Sequence, residues 1–210
     1  MTAMATRPQG APLAEVTAEP VNRPRLIVGI TGATGIAYGL RILNLARMAG
    51  AETHLVVTPA GQQSRRYETS MTMRELSGCA DITYRPADIG AAIASGSFRT
   101  AGMVVAPCSA RTLSAIAYGH GDNLLTRAAD VTLKERRRLV LLVRETPLNL
   151  AHLRAMVAVT EMGGIVMPPV PAFYLNPSDI DELVGHTAGR ALELVGIDVP
   201  GLPHWGECER

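Results

Sequence analysis

The sequence predicts an α/β fold of three layers, in which helices cover both faces of a central parallel sheet. Apolar runs typical of buried strands alternate along the chain with segments of helical spacing, the pattern of parallel strands joined by right-handed crossovers. Turns rich in glycine and hydroxyl side chains follow these runs. Because ligands bind beyond the carboxyl ends of such strands, we expect the functional site at that edge of the sheet.

The composition is that of one ordinary globular domain. Of the 210 residues, 47% are hydrophobic and 19% are charged. The 20 basic and 19 acidic residues leave a formal charge of +1, which provides no field to hold a polyanion. The densest basic run, KERRR at 134–138, follows a predicted helix, as a solvated helix end would. We therefore expect no nucleic-acid partner.

The cysteines and the lack of a long apolar run indicate the cellular compartment. Cys79, Cys108 and Cys208 are widely spaced, which disfavours both a disulfide scaffold and a zinc site. No apolar run approaches the roughly 18 residues that span a membrane. We expect a cytoplasmic protein with no membrane and no metal. Residues 1–24 are proline-rich without hydrophobic periodicity and predict a disordered extension before a single domain over 25–207.

The first unit, RLIVGITGATGIAYGL at 25–40, indicates a strand, a tight turn and a helix. Its apolar run at 26–30 predicts a buried strand, and Ile36, Leu40 and Leu43 recur at helical spacing. A helix N-terminus at the intervening glycines would direct free N–H groups at an anion, most simply a phosphate.

Later segments repeat this strand-to-helix pattern. The run ETHLVVT leads into Thr58 and Pro59, a helix N-cap followed by proline at the first helical position. The run GMVVAP leads to Ser109 at the start of a helix of small residues. The remaining predicted elements are short helices at 73–76 and 88–94, a helix at 123–136, a strand at 139–143, a helix opened by Pro147 and ending near 162, a strand at 165–167 and a helix at 178–194.

The glycine turn is not a dinucleotide fingerprint. The G-x-G-x-x-G pattern requires glycine two positions after Gly32, where this chain has Thr34. The second strand ends at Thr58 with no acidic residue to hold ribose hydroxyls. A Walker A loop is also excluded, because no Gly-Lys-Ser/Thr sequence occurs.

Four hydroxyl side chains nevertheless gather at the predicted edge. Thr34, Thr58, Ser109 and Thr112 can each be explained as a helix cap or turn residue. Ser109 and Thr112, however, lie three apart in the first turn of one helix, so that both hydroxyls and several free N–H groups can surround one phosphate. This arrangement favours a mononucleotide such as FMN over NAD.

Arg144 and Glu145 follow a very apolar strand, and we expect them at the sheet edge, partly removed from water. There Arg144 could bind an anion and Glu145, with a raised pKa, could move a proton; a structural ion pair between them is the alternative. Lys134, Arg127 and Arg190 read by default as surface charges on helices.

Six motifs occur in series between residues 25 and 206. They are VGITGATG at 28–35, PCS at 107–109 with TLS at 112–114, TRAAD at 126–130, LKERR at 133–137, VRETP at 143–147 and PPVPAFY at 168–174. Together they resemble the UbiX-type flavin prenyltransferases. RAAD, LKERR and RETP in this order make the resemblance highly specific.

The resemblance implies a flavodoxin-like or Rossmann-like subunit, assembled as a homododecamer. It implies a metal-independent enzyme that joins the dimethylallyl group of dimethylallyl phosphate to N5 and C6 of reduced FMN, so that a UbiD-type decarboxylase can use the prenylated flavin. Matching positions imply that the flavin is contacted by Gly32, Ala33, Thr34, Thr58, Ser109, Ala110, Arg111, Thr112 and Arg144. They imply that the second substrate is bound by Lys134, Tyr174, Arg190, Arg127 and Trp205, with Glu145, Lys134 and Glu68 as catalytic residues.

Some positions depart from the family pattern, and two other functions remain open. The family commonly has serine at Thr34 and Thr58 and lysine at Pro59; threonine adds a methyl group close to the flavin. One alternative function is an FMN-dependent decarboxylase, which requires a catalytic histidine that neither His54 nor His120 clearly supplies. The other is a non-catalytic protein that binds and delivers the flavin.

Overall fold

The computed structural model describes residues 23–204 and residue 206. Its six strands form one wholly parallel sheet in the order β3-β2-β1-β4-β5-β6. The strands are β1 (Arg25–Ile30), β2 (Glu52–Val57), β3 (Ile82–Tyr84), β4 (Gly102–Cys108), β5 (Arg138–Val143) and β6 (Ile165–Val166). This is the Rossmann-type order, and it confirms the predicted α/β architecture.

Seven helices complete the three layers. They are α1 (Ile36–Met48), α2 (Pro59–Glu68), α3 (Met73–Gly78), α4 (Ala110–Ala117), α5 (Leu124–Lys134), α6 (Leu150–Glu161) and α7 (Ile180–Leu194). Helices α1 and α7 pack together on one face of the sheet, and α4, α5 and α6 cover the other face. No helix in the described part of the chain has the length and apolar character needed to cross a bilayer.

The sheet is buried on both faces, which explains its continuous apolar runs. Within β1, Leu26, Val28 and Ile30 belong to the core beneath α1 and α7, whereas Ile27 belongs to the core beneath α4, α5 and α6. Alternate residues of a strand point to opposite faces, so both sets must be apolar.

Two of the predictions between residues 80 and 100 were wrong. Strand β3 was missed, because only one of its three residues is even half-buried at the edge of the sheet and the strand shows no apolar run. The helix predicted at 88–94 is a single 3₁₀ turn, Ala92–Ala94.

Side-chain caps decide where most helices begin. Thr58 caps α2 with Pro59 at its first position, and Ser109 caps α4, as predicted. The prediction that Pro147 opens a helix was wrong. Helix α6 begins three residues later, because Asn149 and His152 form a reciprocal capping box there.

A polar network closes the core at the amino ends of β1 and β2. The ring of His54 is fully buried, with Nδ1 2.9 Å from the hydroxyl of Tyr84 and Nε2 2.9 Å from Oε1 of Glu52. Arg25 also contacts Glu52, at 3.2 Å, and stacks over the ring of Phe98. Burial lowers the pKa of His54, and this effect outweighs the opposing hydrogen bond and charge of Glu52.

We expect Gly39→Ala to lower the free energy of unfolding by roughly 1–3 kcal/mol, because α1 packs too closely on the sheet for a methyl group. A Cβ atom on Gly39 would lie 2.5 Å from the carbonyl oxygen of Ala106. Gly185→Ala in α7 is the matched control: it meets no atom within 4 Å and should stabilise the helix by about 0.5–1 kcal/mol. Urea unfolding measures both, and equal effects would contradict this account of α1.

We expect the protein to lose stability as pH falls below about 6.5, the ordinary pKa of histidine. The pKa of His54 is lowered in the folded state, so below that pH the unfolded chain binds more protons and is favoured. Urea unfolding between pH 8 and 5 should show a smaller loss for His54→Gln than for the wild type. His120→Gln, in an exposed loop, is the control; an equal pH dependence in all three proteins would contradict the prediction.

Candidate functional site

The carboxyl ends of β1 and β4 meet where the strand order reverses direction. A buried hydroxyl joins them: Thr31 Oγ1 donates to the carbonyl of Pro107 at 2.7 Å and accepts from the N–H of Ser109 at 2.8 Å. Thr31 is 1% exposed. Thr31 was not among the predicted site residues, although its position directly after a buried strand was a usable signal. Thr31 therefore fixes the glycine turn relative to the start of α4.

The first turn of α4 carries hydroxyl and N–H groups that are suited to bind an anion. Ser109 Oγ accepts from the N–H of Thr112 at 3.3 Å and donates to Thr112 Oγ1 at 3.1 Å. The N–H groups of Ala110 and Arg111, at the first two helical positions, have no partner within the helix. Both hydroxyls and these N–H groups lie in the first turn of α4, as predicted for a phosphate site.

A second wall of the site is formed by the glycine turn and the start of α2. Thr58 Oγ1 accepts from the N–H of Gly61 at 3.0 Å, and the N–H of Thr58 donates to the carbonyl of Ile30 at 3.0 Å. The turn touches α2 so closely that a Cβ on Gly32 would lie 2.4 Å from Cβ of Ala60. Only glycine fits there.

The N-terminus of α1 differs from the prediction. Gly35 is its N-cap and has no side chain to accept from the helix, so Glu68 of α2 takes this role. Glu68 Oε2 accepts from the N–H groups of Gly35, at 2.8 Å, and Ile36, at 3.0 Å. The expected phosphate at this helix terminus was therefore wrong, because a carboxylate of the chain itself already binds those N–H groups.

The ligand-facing side of the glycine turn is open. Gly32 and Thr34 are exposed and Ala33 is half-buried. The Thr34 hydroxyl thus lies on an accessible surface next to the α4 turn, to which Thr31 connects it.

Arg144 and Glu145 extend the same edge beyond β5. The N–H of Arg144 donates to the carbonyl of Cys108 at 3.0 Å, which places the residue beside Ser109. Both side chains are exposed, so the expectation that they are partly removed from water was wrong for the single chain. The reason is that they lie past the end of the strand, where the sheet's helices no longer cover them. Within the described residues, no ion pair joins Arg144 to Glu145.

The basic residues expected at the second substrate all form local ion pairs. These pairs are Arg127 with Asp130 at 2.7 Å, Lys134 with Glu135 at 2.6 Å, and Arg190 with Glu193. Surface ion pairs of this kind contribute little stability and exchange readily for another anion.

Lys134 lies far from Arg144 and Glu145. It is the last residue of α5, four positions before β5 begins, whereas Arg144 follows the end of β5. The six residues of the strand separate the two edges by about 20 Å. One chain alone therefore does not bring these residues into one site.

Tyr174 lines a separate cavity of about 950 Å³ between α7 and the segment at 199–206. Its walls are largely apolar and include Leu45, Leu175 and Val199. None of the residues expected around the flavin lines this cavity. Trp205, expected near the prenyl group, lies outside the described residues.

Two further predictions concern histidines and metals. His54 belongs to the buried network of β2, and His120 is exposed in a loop. Across residues 23–204, no three His, Cys, Asp or Glu side chains are grouped so that they could hold a metal ion.

The residues at the β1–β4 edge fit a flavin mononucleotide. The α4 turn supplies hydroxyl and N–H donors for a phosphate monoester, and the carboxylate that contacts the glycine turn, Glu68, accepts from the first N–H groups of α1. The turn at 32–34 presents small residues, exposed at Gly32 and Thr34 and half-buried at Ala33, near the start of α4. Such residues admit a planar ring at close range.

Comparisons with known proteins agree with this site. The sequence model of the family described as Flavoprotein matches residues 15–189. The flavin prenyltransferase UbiX of Neisseria meningitidis serogroup B is 57% identical over 181 residues, which cover 86% of this chain and 96% of that protein.

Two solved structures are similar over most of the chain. AnUbiX (PadA1), in complex with FMN and dimethylallyl pyrophosphate, has a TM-score of 0.87 and 44% identity, and the match covers 90% of this chain and 100% of that one. A dodecameric FMN-dependent UbiX-like decarboxylase from Escherichia coli O157:H7 has a TM-score of 0.83 and 46% identity, with coverage of 86% and 98%. On its motifs, its fold and these similarities, the chain belongs to the UbiX-type flavin prenyltransferase family.

Proposed function

We propose that this protein is a flavin prenyltransferase that joins the dimethylallyl group of dimethylallyl phosphate to N5 and C6 of reduced FMN. The observation that carries the proposal is the first turn of α4, with two hydroxyls and two N–H groups that have no partner within the helix, which Thr31 connects to an open glycine turn at the switch point of the sheet. The related AnUbiX structure, 44% identical, is a complex with FMN and dimethylallyl pyrophosphate, which carries the same dimethylallyl group.

FMN would be bound through its phosphate and its ring. The N–H groups of Ala110 and Arg111 and the hydroxyls of Ser109 and Thr112 would hold the phosphate, and Gly32, Ala33, Thr34, Thr58 and Arg144 would contact the rest of the flavin. When bound in its reduced form, the flavin supplies the electron-rich atoms to which the allyl group is joined. Compared with serine at the same positions, Thr34 and Thr58 would each add a methyl group close to the flavin.

The donor would be activated by positive charge. Breaking the allylic C–O bond leaves charge on the phosphate, which Lys134, Arg190 and Arg127 would stabilise. The aromatic rings of Tyr174 and Trp205 would form the walls around the prenyl group. When C6 of the flavin forms its new bond, that carbon must lose a proton to restore the aromatic ring. Glu145 or the departing phosphate would accept this proton.

Glu68 would position the flavin-binding turn and would not transfer a proton. Its carboxylate holds the first N–H groups of α1, directly after the turn at 32–34. This supports a role in fixing the turn that lines the flavin.

The complete site would require more than one copy of the chain. Lys134 lies about 20 Å from Arg144 along β5, so Lys134 of a neighbouring copy would complete the donor site. Helix α6 exposes Leu150, Leu153 and Val157 at helical spacing, an apolar face suited to burial against another subunit. A homododecamer, as in the E. coli relative, would satisfy both features.

The product would serve a second enzyme. We propose that a UbiD-type decarboxylase receives the prenylated flavin and that both act in the cytoplasm. A carrier would use the same phosphate turn, but it would not require Glu145 or Lys134. An FMN-dependent decarboxylase would require a histidine near the flavin, and His54 is engaged in the network of β2.

We expect the FMN-loaded wild type to add a C5 unit to reduced flavin when it is given dimethylallyl phosphate without oxygen. Glu145→Gln should slow this gain by about 10²–10⁴-fold, the usual contribution of a positioned acid or base, while FMN binding persists. Mass spectrometry of the extracted flavin measures the gain. Absence of a C5 gain in the wild type would refute the transferase, and an undiminished rate in Glu145→Gln would refute the role of Glu145.

We expect Lys134→Ala and Glu145→Gln, each nearly inactive alone, to regain activity when co-assembled. If the two residues reach each site from different copies, about a quarter of the sites in a randomly mixed oligomer contain both native residues. The assay is flavin prenylation by co-expressed, differently tagged chains. Mixed oligomers that stay as inactive as either variant would show that both residues act from one copy. Oligomers of the double variant Lys134→Ala/Glu145→Gln alone give the background rate of prenylation.

A further inference from the structure

The cavity beside Tyr174 contains a histidine to which the proposed reaction assigns no role. His186 of α7 lines the cavity, and its ring meets that of Tyr174 edge to face, with 6.3 Å between centroids and 86° between planes. Edge-to-face pairs of this geometry are favourable beyond the area they bury. The contact connects helix α7 to the 3₁₀ turn Phe173–Leu175, which follows the proline-rich segment.

One ring nitrogen of His186 is buried without a partner. Nε2 is inaccessible to water, and no donor or acceptor within the described residues reaches it. Burial lowers the pKa of His186, the charge of Arg190 lowers it further, and His204 acts in the same direction. The Pro203 carbonyl and Glu193 act in the opposite direction. The imidazole is therefore neutral at pH 7.

Charged groups surround this neutral ring on α7 and on the C-terminal segment. Arg190 follows one helical turn after His186 and pairs with Glu193. Glu193 also contacts Nε2 of His204 at 2.7 Å, and Glu182 lines the same cavity. Because the ring of His186 is neutral, it adds no positive charge next to Arg190.

We propose that His186 is a positioning residue, which holds the ring of Tyr174 in the orientation that binds the prenyl phosphate. This inference rests on the proposed function, because that function supplies the role of Tyr174. His186 acts through the ring contact and not through proton transfer. A phenylalanine ring should replace it, whereas alanine should not.

Binding of dimethylallyl phosphate to the protein loaded with oxidised FMN tests this proposal, because no turnover occurs in that state. By calorimetry, we expect His186→Ala to weaken binding about three- to tenfold, the range of one aromatic pair. His186→Phe should stay within about twofold of the wild type. In reduced-flavin assays, His186→Ala should raise KM for the donor and leave kcat nearly unchanged.

A double-mutant cycle separates positioning from general destabilisation. In a Tyr174→Ala background, His186→Ala should weaken donor binding little further, because the ring it holds is absent. His120→Ala, an exposed histidine outside the cavity, is the control and should leave affinity unchanged. Crystal structures of the wild type and His186→Ala should show a displaced Tyr174 ring in the variant.

The outcomes are distinct. Unchanged affinity in His186→Ala, additive losses in the cycle, or an undisplaced Tyr174 ring would overturn the positioning role while prenylation by the wild type continues. Failure of the wild type to prenylate reduced FMN would instead overturn the proposed function. If His186→Ala does not fold, a loss of affinity in His186→Phe equal to that of Tyr174→Ala overturns the ring-contact argument.

Discussion

The candidate site depends on two hydrogen bonds made by one buried hydroxyl. Thr31 directly follows β1, and its Oγ1 both donates to Pro107 and accepts from Ser109 at the end of β4. Both capacities of the hydroxyl are satisfied in a place that water does not reach, and loss of one partner there would leave a buried polar group at a cost of about 1–3 kcal/mol. The glycine turn and the phosphate turn consequently keep a fixed distance.

Among the helix N-termini at this edge, those of α1 and α4 are capped in different ways. At α1, the cap is a glycine with no side-chain oxygen, and Glu68 supplies the negative charge that the helix dipole favours. At α4, Ser109 caps one N–H and leaves the first two for a ligand. The negative charge of Glu68 also disfavours a second anion at the glycine turn. We therefore expect a phosphate at α4 and a flat ring against the glycine turn.

The donor side of the site is built in a different way. Arg144 and Glu145 are exposed beyond β5, Lys134 lies at the opposite edge, and Tyr174 faces a cavity against α7. Charged groups in water act weakly, because the high dielectric screens them. A neighbouring subunit that covers this edge would exclude water and strengthen each of these interactions. Assembly and chemistry would then be coupled, since the same contact that buries the α6 face would complete the donor site.

The sequence by itself determined the fold class, most element positions and the serine cap that begins α4. Continuous apolar runs specify a sheet buried on both faces, and the caps at Thr58 and Ser109 are local interactions between near neighbours in the chain. The start of α6 was predicted three residues too early, because Pro147 and Asn149 both resemble helix starts and the capping box of Asn149 decides between them.

The tertiary structure decided what depends on residues distant in sequence. The contact of Glu68 with α1 spans 33 positions and the bond of Thr31 to Ser109 spans 78, and no periodicity in the sequence reports either pair. The exposure of Arg144 and Glu145 likewise depends on which elements cover the edge. Hydrophobic patterns and caps act over a few residues, whereas the side chains of this site meet only after the sheet has fixed its strand order.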